Sequence, residues 1–219
     1  MKRCLSVALT VALLCAVASS QVELHVKSVL DRRVATFELI DATLIDGLSK
    51  LSSEQIPGLH LGIEEVLRAE WSDPPAPSVK FSLALQNVPV RRILDALCER
   101  DNRYQWSTEG ATINVFPRDT LGDTTFFLNK KIPQLELNGV PDPYEALTPL
   151  ARLLADEQIG YAGAGGASFY ARTWTTRFEG ITVRQYINRI SEHSGPRGGW
   201  ILKGSREQRF FFFFEFGFN

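Results

Sequence analysis

Three histidines, His25, His60 and His193, are the residues to test first for metal chemistry. They are scattered along the chain, with no second histidine or cysteine at the i+2 or i+4 spacing of a metal-binding motif, and no metal site is expected. Ser191-Glu192-His193-Ser194 sets a nucleophile type beside a base type. Neighbours on a helix point in different directions, so the run reads as the polar end of a helix. Gly160-Tyr161-Ala162-Gly163-Ala164-Gly165-Gly166 has the flexibility of a phosphate cradle but lacks the Gly-Lys-Ser/Thr that would aim a lysine at phosphate; it reads as a loop between strands. Arg91, Arg92, Arg100 and Arg103 surround Tyr104 and Trp106, a mixture that could stack and pair with nucleic acid. Asp95, Glu99 and Asp101 interleave with them, which points instead to an ion-paired solvated face. No catalytic, cofactor-binding or metal-binding residue is assigned, no cofactor is expected, and the partner-binding residues are left open.

The elements that would position such residues repeat. Asn87-Val88-Pro89-Val90-Arg91-Arg92-Ile93-Leu94-Asp95-Ala96-Leu97 recurs 93 positions later as Gly180-Ile181-Thr182-Val183-Arg184-Gln185-Tyr186-Ile187-Asn188-Arg189-Ile190, with matching apolar positions. A tryptophan follows each copy, Trp106 and Trp200. In the first half, Phe37 and Leu39 alternate as in a half-buried strand, and Leu44, Leu48 and Leu51 follow at helical spacing behind a cap at Asp41 or Thr43. A short strand over Leu59–Ile63 and a Pro-rich loop over Ser72–Ser78 come next. Val79, Phe81, Leu83 and Leu85 alternate as a strand; Val90, Ile93, Leu94 and Leu97 mark a helix; Tyr104 to Phe116 reads as a hairpin about Glu109-Gly110. The order is β-α-β-β-α-β-β. In the second half, Asp142-Pro143-Tyr144-Glu145 opens a helix carrying Leu147, Leu150 and Leu154. Its end, Glu157-Gln158-Ile159, is matched to Glu54-Gln55-Ile56 at an offset of 103, ten more than the second helix, and the Pro-rich loop is assigned as the insertion. The fold class is α+β: two similar small units, each with two helices packed on a short mixed β-sheet. The domains are 1–20, a signal peptide; 21–117, the first unit; 118–133, a linker and first strand; and 134–219, the second unit.

The leader assignment rests on Lys2 and Arg3, the apolar stretch Leu5–Leu14 and the small-x-small site Ala16-Val17-Ala18. Cleavage would leave 22 Lys and Arg against 25 Asp and Glu, a mildly acidic chain with no field for nucleic acid. It would also remove Cys4 and Cys15, so Cys98 is expected alone and buried. Phe210 to Phe218, interrupted by Glu215 and Gly217, reads as a strand with rings on both faces, needing cover from the fold or a partner.

The packing positions Phe37, Leu39, Leu44, Leu48 and Leu51, the alternating strand Val79–Leu85, the helix opening Asn87–Leu94 and the hairpin Tyr104–Phe116 together resemble the short N-terminal domain shared by secretins and TonB-dependent receptors. The likeness covers residues 34–117, and 134–216 more loosely. It implies a small periplasmic docking or signalling module that binds another envelope protein, and self-association through the Phe-rich strand is a second route to contact. Two departures stand against the family pattern: Cys98-Glu99-Arg100-Asp101-Asn102 replaces the usual glycine-containing turn, and no pore or barrel sequence follows. A non-enzymatic binding module, periplasmic or secreted, is therefore the expectation. Its rival is a secreted enzyme with a site in the cleft between the units, built from Glu99, Asp101, His193 and Arg197.

Overall fold

A computed structural model describes residues 26–65, 79–120, 122–155, 159–161, 173–193, 198–204 and 209–215. The leader, most of the glycine-rich stretch, the Pro-rich loop and Arg197 lie outside these residues. A helical turn over 26–31 leads into β1 (Arg33–Ala42), which turns Val34, Phe37 and Leu39 inward and pairs antiparallel with β3 (Phe81–Pro89). Helix α1 (Leu44–Lys50) starts at Thr43. The Thr43 hydroxyl accepts the Asp46 amide at 3.2 Å while the Asp46 carboxylate accepts the Thr43 amide at 2.9 Å, so two amides otherwise left open at the helix start are satisfied. The helix widens into one π turn over Leu51–Gln55, and β2 (His60–Glu64) follows. Pro89 presets the backbone for α2 (Val90–Arg100), which buries Val90, Ile93, Leu94 and Leu97 on one face. The hairpin β4 (Tyr104–Glu109) and β5 (Thr112–Pro117) closes the unit through Gly110, whose φ of 59° favours glycine.

The second unit repeats this order as β6 (Lys131–Val140), α3 (Pro143–Leu153), β7 (Ile159–Tyr161), β8 (Trp174–Thr182), α4 (Val183–His193), β9 (Gly198–Gly204) and β10 (Arg209–Glu215). Asp142 caps α3, its carboxylate accepting the amides of Tyr144 and Glu145 at 2.8 and 2.9 Å. Irregularities recur as faithfully as the regular elements. The β1–β3 ribbon breaks register between Leu39 and Ala42, and the β6–β8 ribbon between Leu137 and Val140, 98 residues on. Left-handed backbone stands at Asp41 and Asn87 in the first unit, each with φ 48°, and at Gly139 and Gly180 in the second. Those positions are 98 and 93 residues apart, matching their strands. The second core also reaches back to Phe127 and Leu128, within the 118–133 segment.

One register differs from expectation. The buried set Leu44, Gly47, Leu48 and Leu51 recurs as Pro143, Ala146, Leu147 and Leu150, an offset of 99 in place of 103. Glu54 and Gln55 occupy the π turn, whereas Ile159 begins β7, so the Glu-Gln-Ile match joins inequivalent places. His60 pairs with Thr112 as Gly160 pairs with Phe210, an offset of 100 at this strand. Against the 93 of the next element, the first unit is longer by seven residues between β2 and β3, not ten. Core contacts set helix register, while a match of exposed polar residues constrains nothing.

The two units share one sheet, in the order β4-β5-β2-β9-β10-β7. Within each unit the hairpin is antiparallel and its second strand runs parallel to the short strand, β5 with β2 and β10 with β7. The units join where β2 runs parallel to β9. Leu61, Ile63, Ile113, Val115 and Ile201 face one side, with α1 and α2. Trp200 and Leu202 alternate to the other side, with α3 and α4. Helices of the two units thus cover opposite faces of a common sheet. The backbone of β10, carrying the Phe-rich run, pairs with β9 along its length and with β7 over residues 209–211. No described helix is long and apolar enough to cross a membrane.

Candidate functional site

Arg184, Gln185, Asn188 and Glu192 fall at i, i+1, i+4 and i+8 on α4, a spacing that puts them along one side of the helix. All four reach the first unit. Arg184 donates to both oxygens of Glu64, the Nη2–Oε2 arm being 3.1 Å, and to Asn129 Oδ1. Its guanidinium also lies over the Phe116 ring, 5.3 Å from the centroid. Glu64 is fully buried. Removal from water pushes its carboxyl above the usual carboxylate range, and the pull of Arg184 in the opposite direction is the smaller effect. Gln185 Nε2 donates to Glu109 Oε1 at 2.7 Å, and Asn188 Nδ2 to Glu109 Oε2 at 3.3 Å. Glu192 Oε1 accepts the Ala111 amide at 2.8 Å and the Thr112 hydroxyl at 3.1 Å. Helix α4 therefore spans from β9 across the first unit's strands to the tip of the β4–β5 hairpin.

Trp200 seals the middle of this joint. It is 0% exposed, and its Nε1 donates to Asn188 Oδ1 at 2.8 Å. The ring lies against Gly62, where a Cβ would meet it at 2.6 Å, so only glycine permits this approach. Asn114 and Ser191 bring buried side-chain polar atoms without a hydrogen-bond partner among the described residues, a destabilising element at the same place.

The first unit carries the counterpart of this surface. Trp106 Nε1 donates to Asp95 Oδ1 at 2.9 Å, and Asp95 and Trp106 stand 93 and 94 residues before Asn188 and Trp200. Arg91 bonds Asp31 as Arg184 bonds Asn129. Arg92, Asp95, Ala96 and Glu99 take the places of Gln185, Asn188, Arg189 and Glu192. Yet among the described residues β4 is the end strand of the sheet, and none of them stands where β2 stands beside β9. Trp106 is consequently half-buried, Ser107 and Thr108 are exposed, and the Arg91 side chain is 45% exposed against 14% for Arg184. An open groove of about 550 Å³ runs beside α2, lined by Leu39, Ile40, Leu85, Arg92, Ala96 and Glu99 among others. Ile40, 84% exposed, adds apolar surface at its rim.

Among the described residues, those singled out for chemistry do not gather. Glu99 pairs with Arg92 at 2.8 Å, and Asp101 is buried in a two-armed pair with Arg103. His193 stacks on Trp174 at 4.3 Å, and partial burial lowers its pKa. Ser191 is buried, whereas Glu192 is committed to the hairpin. His60 sits on β2. Among the described residues no three His, Cys, Asp or Glu side chains converge as metal ligands would. Arg91, Arg92 and Arg103 of the basic run each have a carboxylate partner. Cys98 is buried among apolar neighbours, which pushes its thiol up to about 12. Asp95 and Asn188 were the positions to notice: each sits at the same place in the repeated helix, 11 and 12 residues before the tryptophan it holds. Glu64 offered no such signal. No protein-family model, curated protein or solved structure matches the chain.

Proposed function

We propose that the chain is an exported, non-enzymatic docking module of the cell envelope, binding another envelope protein through α2 and β4 of its first unit. One observation carries the reading. The α4–β9 surface of the second unit already works as a protein-binding surface, with the first unit as its ligand, and α2–β4 repeats its tryptophan lock and arginine in the open. The leader over residues 1–20 and the resemblance to secretin and TonB-dependent receptor short N-terminal domains support an envelope location and a binding role. A photo-crosslinking residue placed at Gln105 or Arg92 in cells producing the full chain should yield one discrete crosslinked species. The same residue at Glu136, on the β6–β8 ribbon, should not. Equal labelling at the three positions, or none at the first two, would defeat the proposal.

A further inference from the structure

Accepting that reading, the joint between the units specifies what α2 and β4 bind. We propose that the occupant is an extended strand running parallel to β4, with a glycine where it crosses Trp106 and a carboxylate two residues further on. The template is β2 against β9. There Gly62 is opposite Trp200, Glu64 is opposite Leu202, and the Glu65 amide donates to the Leu202 carbonyl at 3.0 Å. Trp106 and Thr108 stand 94 residues before Trp200 and Leu202, so the same strand placed on β4 brings its glycine to Trp106 and its glutamate beside Thr108.

Two chemical features argue for that occupant over a generic peptide. A side chain larger than hydrogen at the first position would meet the tryptophan ring, as a Cβ at Gly62 would meet Trp200. The carboxylate then falls toward Arg91, the counterpart of the Arg184 that holds Glu64 by both arms. Arg91 pairs with Asp31 where Arg184 meets Asn129, and among the described residues no second acid stands in the Glu64 position beside its half-exposed guanidinium. The edge of β4, unpaired among the described residues, supplies backbone groups for the ladder, the mode by which exposed sheet edges capture extended segments. Helix α2 would cover the added strand as α4 covers β2.

The probe is a synthetic nonapeptide with the chain's own sequence from Gly58 to Val66, added to the full-length protein. Amide exchange in β4 should slow at Trp106 and Thr108 as peptide is added. Peptides carrying Gly62→Leu or Glu64→Lys should bind about tenfold more weakly or worse. Arg91→Glu in the protein should weaken the parent peptide and recover binding of the Glu64→Lys peptide. Unchanged exchange in β4, equal binding by all three peptides, or loss of protection in β9 through replacement of the native β2 would each overturn the proposal. If crosslinking at Gln105 and Arg92 still finds a partner while the peptide fails, the docking role stands and only the strand chemistry falls.

Discussion

Trp200 and Trp106 occupy the same position in their units and make the same bond to the same helix position, yet the first is sealed and the second half open. The difference lies outside either unit. Beside β9 stands β2, with a glycine that admits the ring and a glutamate that meets Arg184; no described strand stands on the corresponding side of β4. A surface that is buried core in one copy is therefore accessible in the other without any change in the local fold. Identical side chains should then contribute very differently to stability, which makes the comparison open to attack.

The largest contrast should come from the tryptophans. Trp200→Ala should cost about 3–5 kcal/mol and Trp106→Ala about 2 kcal/mol, read from urea unfolding of the two variants. Equal losses would mean that the joint adds nothing to burial. The arginines follow. Arg184→Ala leaves Glu64 buried without its partner and should cost about 3 kcal/mol, whereas Arg91→Ala breaks an exposed pair and should cost under about 1 kcal/mol.

A pH series sharpens the same point. Because the folded state holds the Glu64 carboxyl above its ordinary value of 4.5, it binds a proton that the unfolded chain has already released. This group's contribution to stability is therefore greatest below 4.5 and declines as pH rises toward the elevated value. Glu64→Gln should flatten that decline in denaturation midpoints taken across roughly pH 4 to 8, and an unchanged slope would place its origin elsewhere. Among the hydrogen bonds, Asn188→Ala strands the buried Trp200 Nε1 and should cost about 2 kcal/mol, against about 1 kcal/mol for Asp95→Ala. The smallest effect is at Cys98. Its thiol should stay inert to a disulfide reagent at neutral pH until denaturant unfolds the first unit, because burial keeps it protonated and covered.

Much of each unit was readable from local pattern. The helix spacing of Val90, Ile93, Leu94 and Leu97, the Asp142-Pro143 start and the two trailing tryptophans led to the right element order, because burial on one face leaves a period that survives in the sequence. Thr43 was one of two candidate caps, and the capping box chose it over Asp41, whose left-handed backbone places it in the bulge before the helix. The joint was not readable. Glu64 and Arg184 lie 120 residues apart and each looks like an ordinary surface charge. Which strand of one unit lies beside which strand of the other has no local signature, and neither does the placing of helix pairs on opposite faces. Glu54-Gln55-Ile56 and Glu157-Gln158-Ile159 misled for the complementary reason, being a resemblance of letters where no packing enforces one.

The order β4-β5-β2-β9-β10-β7 puts unlike strands together at the seam, so the contact is head-to-tail and has no twofold symmetry. A body bearing both mates of such a contact is a polymer subunit, and separate copies would grow into a filament without a natural stopping length. Two such units in one chain satisfy one pair of mates internally and leave unlike strands at the two ends of the described sheet, β4 at one and β7 at the other.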